Sequence, residues 1–164
     1  MYQFGEFAKE TLEQLSGQGV FLTVKCGDKT NVMTIGWGSL SQYWGEEIFI
    51  APVRASRYTL PLLEKADAFA ISVPAKNTMA EALKICGTLS GRDGNKFEKA
   101  GLKIKAGEAL DVPLVDGCAV YYECKKRFTA EMDLDAIDPA LRERWYGSGD
   151  AHTLFFGKIV SAHR

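Results

Sequence analysis

The first sixteen residues of this 164-residue chain carry apolar side chains at helical spacing. Phe4, Ala8, Leu12 and Leu15 recur at three- and four-residue steps, and two glycines follow shortly afterwards. Such spacing is typical of one apolar helix face, and glycine commonly ends a helix. The pattern therefore predicts a short amphipathic helix at residues 1–16 that docks on the body of the protein.

From Val20 onward the pattern becomes that of strands. Val20–Val24 is a short apolar run, Asn31–Leu40 follows it after a polar turn, and Ile48–Ala51 forms a third run. Pro52 lacks a backbone N–H, so it limits the third strand to a sheet edge or ends it. Because the connections are too short for parallel crossovers, we expect an antiparallel meander.

The rest of the chain alternates short helices with further strands. The pattern predicts helices at Tyr58–Lys65, capped by Thr59, at residues 79–89, capped by Asn77, and at Pro139–Trp145, together with strands at Ala68–Val73, Cys118–Lys126 and Thr153–Val160. No repeat or linker is visible, so residues 1–164 are predicted to form a single domain. The expected fold is mainly β with flanking helices, an antiparallel sheet that closes fully or partly into a barrel.

Composition narrows the class of protein without assigning a function. Apolar residues make up 46% of the chain and charged residues 25%, as in a folded soluble domain. The 20 basic and 21 acidic side chains give a net charge of −1, so neither nucleic acid nor a membrane is an expected partner. No secretory signal pattern is present, which makes the cytoplasm the expected location. The four cysteines lack CxxC pairing and nearby histidines, so no metal site is predicted.

The run Asn31–Ser39 has one bulky face and one nearly bare face. Strand alternation would place Met33, Ile35 and Trp37 together, with Thr34 and two glycines on the other side. A bare strand face suits the approach of a flat ligand. Close packing of one strand on another at a barrel bend explains it equally well.

Two polar loops contain groups that bind anions. Val53–Thr59 combines hydroxyls and backbone N–H groups with two arginines, although a helix cap flanked by solvated arginines is the alternative. Cys86–Phe97 forms a small-residue turn in which Arg92 and Lys96 could pair with a phosphate or with Asp93.

Neither histidine identifies a catalytic site by itself. His163 lies near the C-terminus, where solvation is expected, and His152 precedes the last strand, where it is either structural or aimed at a site. Cys86 at a helix end could be reactive, although a buried inert thiol is the more common case.

Taken together, four segments resemble the flavin reductase-like family, whose fold is an FMN-binding split β-barrel, and within it the flavoredoxin-like proteins. Their order and spacing match, and they span most of the chain. The four segments are Asn31-x-Met33-Thr34-x-x-Trp37-Gly38-Ser39, Val53-Arg54-x-Ser56-Arg57-Tyr58-Thr59, Cys86-Gly87-x-x-Ser90-Gly91-Arg92-Asp93-x-x-Lys96-Phe97 and His152-Thr153-x-x-Phe156-Gly157. The resemblance implies a split barrel with bound FMN.

The resemblance also implies which residues hold the cofactor. Those implied to lie along the isoalloxazine and ribityl chain are Asn31, Met33, Thr34, Trp37, Ser39, Arg54, Ser56, Arg57 and Tyr58. Those implied to complete the site and hold the phosphate are Cys86, Gly87, Ser90, Gly91, Arg92 and Lys96. His152 is the candidate catalytic residue, expected to orient a nicotinamide or to bond the flavin edge. A homodimer is implied, and the acidic segment 130–149 could cover the site or shape the partner surface.

The expected function is that of an FMN-binding flavoprotein oxidoreductase, an NAD(P)H-dependent flavin reductase in which the flavin carries the electrons to an acceptor. NADH or NADPH would be the donor. The alternative is a flavoredoxin-type electron carrier that a partner protein reduces and that has no nicotinamide site. A barrel that binds haem or another flat ligand is a third hypothesis, disfavoured because no histidine is well placed for axial ligation.

The near-zero net charge conceals a basic region. Residues 54–96 contain seven basic and four acidic side chains, a local net charge of +3 that leaves −4 elsewhere. The chain is therefore basic where the flavin phosphate is expected.

Overall fold

Nine strands and five α-helices are present in a computed structural model of the protein, which describes residues 4–164. In chain order they are α1 (Ala8–Ser16), β1 (Val20–Cys26), β2 (Lys29–Ile35), β3 (Ser39–Tyr43), β4 (Glu46–Arg54), α2 (Thr59–Lys65), β5 (Ala68–Val73), α3 (Ala80–Thr88), α4 (Lys96–Lys99), β6 (Ile104–Ala106), β7 (Pro113–Val115), β8 (Val120–Glu131), α5 (Pro139–Tyr146) and β9 (His152–His163). Short 3₁₀ turns lie at Gly91–Asp93 and Leu134–Ala136. Residues 1–3 of the predicted N-terminal helix lie outside the described residues.

Seven strands form one antiparallel sheet in the order β2-β1-β5-β8-β9-β4-β3, and β6 pairs with β7 in a separate ribbon. The long strands β8 and β9 pair at its centre, with register shifts at Glu123/Cys124 and Lys126/Phe128. Within residues 4–164 no hydrogen-bonded ladder joins the edge strands β2 and β3. The mainly antiparallel, split-barrel prediction is confirmed, and the sheet does not close into a complete barrel.

The single strand predicted over Asn31–Leu40 is wrong. β2 ends at Ile35 and β3 begins at Ser39, and between them the chain crosses from one sheet edge to the other through Gly36–Gly38. Gly38 allows the chain to pass close to β4, because a Cβ there would lie 3.2 Å from the Phe49 ring. Trp37 therefore does not share the predicted strand face, and its side chain is 41% exposed.

β4 continues through Pro52 to Arg54. Its pairing with β3 ends at Ile50, whereas its pairing with β9 continues to the Arg54–His152 pair. Pro52 thus lies where one side of β4 has no ladder partner, which is where a residue without an N–H is tolerated. We call the gap between this part of β4 and the edge of β2 the open seam.

Apolar side chains pack on both faces of the sheet. Helices α1 and α2 cover one face, around Phe69 and Tyr122, while α3, α4 and β7 cover the other, around Phe21. Thr11 of α1 shares a 2.7 Å hydrogen bond with the hydroxyl of Tyr122. Gly157 allows close packing here, because a Cβ would lie 2.6 Å from the Phe69 ring.

Three local predictions are corrected. The Thr59 hydroxyl does not cap α2 but accepts a hydrogen bond from the Asn31 amide at 2.8 Å. Met79, with a φ of 56°, occupies the N-cap position of α3 in place of Asn77. The His163 side chain is only 16% exposed, and its Nε2 lies 3.3 Å from the Glu123 carboxylate.

Among the helices of residues 4–164, none is long and apolar enough to cross a membrane.

Candidate functional site

A cleft lies at the open seam and consists of two adjoining cavities of about 190 Å³ and about 320 Å³. Met33, Arg54 and Arg57 line both cavities, so the two join along these residues. The smaller one, which also contains Trp37, Trp145 and His152, is called the aromatic end below. The larger one contains four cationic side chains, two of which also line the aromatic end, and is called the basic end.

The cleft brings together twelve of the sixteen residues that the sequence singled out. The aromatic end contains Met33, Thr34, Trp37, Arg54, Arg57 and His152, and the basic end adds Ser56, Tyr58, Ser90, Gly91, Arg92 and Lys96. These residues come from four separate stretches of the chain. The seam is the place where the fold brings those stretches together.

The other four residues do not line the cleft. Asn31 is only 3% exposed, and Ser39 pairs with β4 at the start of β3. Cys86 is fully buried in α3, and burial raises the pKa of its thiol to about 11. The Cys86 thiol is therefore protonated at neutral pH. Gly87 faces Thr34, because a Cβ at position 87 would lie 3.5 Å from the Thr34 Cβ.

Four cations line the basic end, and none of them has an acidic partner within salt-bridge distance among residues 4–164. They are Arg54, Arg57, Arg92 and Lys96. The Lys96 side chain is 4% exposed, and its Nζ donates to the Cys86 carbonyl at 2.9 Å. The pKa of Lys96 is lowered to about 8, mainly by burial, with the neighbouring Cys86 opposing this effect and Arg57 adding to it. Arg92 lies over the Tyr58 ring, 5.4 Å from its centroid.

Arg57 is the second confined cation of the basic end. Its guanidinium makes no hydrogen bond to any residue of 4–164. Burial lowers its pKa, an effect that Asp150 opposes and Arg54 reinforces. Confined guanidinium and ammonium groups with free donors are the groups that bind phosphate in proteins, so this end fits a phosphate ester.

The wall of the basic end requires a glycine at position 91. A Cβ there would lie 2.5 Å from both the Asn31 Oδ1 and the Tyr58 ring. The preceding Ser90 hydroxyl accepts a hydrogen bond from the Arg92 backbone N–H at 3.2 Å. The turn therefore packs directly against β2 and the start of α2.

Arg54 and Ser56 hold the end of α5 and the segment that follows it. The Arg54 guanidinium donates to the carbonyls of Asp150 at 2.8 Å and Trp145 at 3.0 Å. The Ser56 hydroxyl and N–H donate to the Asp150 carboxylate at 2.7 and 3.0 Å. Burial raises the pKa of Asp150, but the two Ser56 bonds and Arg54 outweigh burial and the pKa is lowered. The hydrogen bonds of Arg54 and Ser56 thus position residues 145–150 over the cleft.

The aromatic end has three rings in contact. Trp37 meets Trp145 edge to face at 5.1 Å and His152 at 5.2 Å between centroids. His152 is 7% exposed, and its Nδ1 lies 2.8 Å from the Tyr146 hydroxyl. Burial lowers the pKa of His152 to about 4, with Arg54 adding to the effect and Asp150 opposing it. The imidazole is therefore neutral at pH 7.

Seven lining residues lie outside the predicted set, namely Ile35, Gly36, Pro52, Thr59, Thr88, Leu89 and Trp145. Trp145 had a usable signal, since it lies in the segment expected to cover either the site or a partner surface. Thr88 and Leu89 end α3 and had no signal of their own. The segment after β8 covers the aromatic end.

The family comparison agrees with the fold. The chain belongs to the flavin reductase-like family, because residues 13–164 match the model of the flavin reductase like domain. An uncharacterized protein from Archaeoglobus fulgidus is 31% identical over 149 residues, which are 91% of this chain and 73% of that protein.

Solved structures share the architecture at lower identity. An FMN-binding protein from Thermus thermophilus has a TM-score of 0.70 at 20% identity, and the match covers 89% of this chain and 69% of the Thermus thermophilus chain. A flavoredoxin from Methanosarcina acetivorans has a TM-score of 0.68 at 23% identity, covering 88% and 67%. An NADH:FAD oxidoreductase from Streptomyces globisporus has a TM-score of 0.68 at 21% identity, covering 89% and 75%. The protein thus shares the fold of these three proteins.

Proposed function

We propose that the protein binds FMN in the cleft and acts as an NAD(P)H-dependent flavoprotein oxidoreductase. The observation that carries this proposal is the polarity of the cleft, with confined cations at one end and aromatic rings at the other. A phosphate ester of a flat ring system matches that polarity. Family membership and the FMN-binding neighbour support the choice of FMN.

Arg57, Lys96 and Arg92 would hold the phosphate, and the aromatic end would hold the ring system. The bound flavin would supply hydride acceptance and electron donation, chemistry that no side chain of this cleft provides. Trp37 and Trp145 would pack beside the ring, and the neutral His152 offers one N–H to a ligand. No side chain is required to act as an acid or a base.

Flavin titration of Arg57→Gln tests the assignment of the basic end. We expect the wild type to bind FMN more tightly than riboflavin, and the variant to lose about ten- to a hundredfold in FMN affinity with little change for riboflavin. Arg142→Gln is the matched control, because Arg142 is exposed and pairs with Asp135 in the segment around α5. A wild type that binds no FMN, or equal losses in the two variants, would refute the proposal.

A flavoredoxin-type electron carrier is the second candidate function. The contact between Trp37 and Trp145 favours it, because both rings line the aromatic end, where a nicotinamide would have to stack on the flavin. Anaerobic mixing of the FMN-loaded protein with NADH and with NADPH separates the two candidates. Prompt bleaching of the flavin supports the reductase, and reduction only by a partner protein or a chemical reductant supports the carrier.

An exposed aromatic patch favours a homodimer. Tyr43, Trp44 and Phe128 are 46%, 61% and 49% exposed, and all three contact the Phe156 ring. Contiguous exposed apolar surface commonly marks an interface. Analytical ultracentrifugation of the wild type and Trp44→Ser is the test, with a dimer in the wild type and dissociation of the variant as the expected result.

A further inference from the structure

We propose that Tyr146 is a positioning residue that fixes His152 in the tautomer whose Nε2–H donates to a carbonyl oxygen of a ligand at the aromatic end. The identity of that ligand as flavin or nicotinamide rests on the proposed function. The tautomer itself is a property of the protein without ligand.

The contact between the two residues determines the tautomer. The Tyr146 oxygen lies 2.8 Å from the Nδ1 of His152, and it has no other partner among residues 4–164. A phenol O–H is a stronger donor than an imidazole N–H, and an imidazole nitrogen is a stronger acceptor than a phenol oxygen. Tyr146 therefore donates to Nδ1, and the single proton of the neutral ring is on Nε2.

Tyr146 is itself held in place. It is the last residue of α5, 6% exposed, and the Arg54 guanidinium lies over its ring at 5.1 Å from the centroid. The same guanidinium donates to the neighbouring Trp145 carbonyl. The Tyr146 ring meets the His152 ring edge to face at 88° and 5.6 Å, so both the position and the plane of the imidazole are restricted.

The other ring nitrogen is available to a ligand. Nε2 of His152 has no hydrogen-bond partner among the described residues, and it is not completely buried. His152 lines the aromatic end of the cleft. Burial and Arg54 favour the neutral ring against the opposing Asp150. A neutral N–H without a lone pair toward the cleft matches an uncharged carbonyl oxygen and rejects an ammonium or N–H group. The flavin ring and the nicotinamide carboxamide both contain such an oxygen.

Nitrogen NMR of the ligand-free protein with ¹⁵N-labelled histidine tests the tautomer. His152→Gln assigns the signals, since only His152 and His163 contribute. We expect Nε2 of His152 to be of the protonated, pyrrole type and Nδ1 of the unprotonated, hydrogen-bonded type. In Tyr146→Phe, the Nδ1 signal should move to the range of an unbonded nitrogen. Tyr43→Phe is the control, because the exposed Tyr43 hydroxyl bonds to nothing in residues 4–164.

A protonated Nδ1 in the wild type, or a spectrum unchanged by Tyr146→Phe, would overturn the tautomer assignment. The ligand is identified by the same variant loaded with FMN. If the FMN affinity falls about three- to tenfold, the carbonyl oxygen that accepts from His152 belongs to the flavin. If the FMN affinity is unchanged and the KM for NADH rises by a similar factor, that oxygen belongs to the nicotinamide. If neither changes, the donor is not used and that part of the proposal is wrong. A wild type that binds no FMN would instead overturn the proposed function, with the ligand-free spectrum still deciding the tautomer.

Discussion

Replacing Lys96 by Met tests whether the cleft holds a charge that destabilises the ligand-free protein. Lys96 is almost completely buried, and its single hydrogen bond goes to a backbone carbonyl. Met keeps most of the side-chain volume and removes the ammonium group. We expect the free energy of unfolding of the variant to depend less on pH than that of the wild type, because the variant lacks the buried charge.

The magnitude follows from the pKa of Lys96, which falls from 10.5 to about 8 on folding. Each pKa unit corresponds to about 1.4 kcal/mol, so charged Lys96 destabilises the folded state by about 3 kcal/mol at pH 7. Between the folded and the unfolded pKa the unfolded chain binds more protons, and stability therefore rises with pH in that window. From pH 7 to pH 9 the wild type should gain about 1 kcal/mol relative to Lys96→Met.

Urea unfolding at pH 7 and pH 9, at one protein concentration, measures this gain. The control is Lys29→Met at an exposed position of β2, which should follow the wild type at both pH values. The thiol of Cys86 is present in all three proteins, so its own titration largely cancels from the comparison. Equal pH dependence in the wild type and Lys96→Met would refute the reasoning.

Three further substitutions test other parts of the structure. Gly91→Ala should lower the free energy of unfolding by about 1–3 kcal/mol, because its Cβ would overlap the buried Asn31 amide; an unchanged urea midpoint would contradict this. Trp145→Ala should weaken FMN binding about tenfold in a fluorescence titration while changing stability little, since Trp145 is 42% exposed; unchanged affinity would exclude it from the ring site. Glu123→Gln should destabilise by about 2 kcal/mol or more, because the fully buried carboxylate accepts three backbone N–H groups. Burial raises the pKa of Glu123, but those donors and His163 outweigh burial and the pKa is lowered. This contribution to stability is therefore present at neutral pH and lost in acid. If the urea midpoints of the wild type and of Glu123→Gln fall equally between pH 7 and pH 3, the prediction is wrong.

Local patterns predicted the elements whose residues repeat one period without interruption. The strand predicted at Ala68–Val73 matches β5, an apolar run that Pro74 ends. The helix predicted at Pro139–Trp145 matches α5 to within a residue, although α5 is mostly polar and buries only Tyr146. The pattern failed at Asn31–Leu40, where alternation continues through two glycines although the backbone does not. Alternation reports side-chain spacing, and it contains no information on where a chain leaves one sheet edge for another.

The candidate site was predictable as a set of loops but not as a geometry. Each loop showed its cations and small residues in sequence, whereas the pairing of Arg54 and Ser56 with Asp150 depends on residues more than ninety positions apart. His152 could be named as a candidate from its position before the last strand. Its neutral charge and its contact with Tyr146 follow from burial and from α5, which only the folded chain brings together.

The same features that keep the sheet open also create the cleft. β2 ends before Gly36, and β4 loses its β3 partner before Pro52, so the two strands face each other without pairing. Of the cations that line this gap, Arg54 donates to backbone carbonyls. Arg57 and Lys96 lie in a partly desolvated space, with no carboxylate within salt-bridge distance among residues 4–164. Desolvated charges without counter-charges destabilise a fold, and they are retained where a ligand supplies the missing charge. The open seam therefore combines a surface for a ring with an electrostatic requirement for an anion, and one phosphorylated ring compound satisfies both.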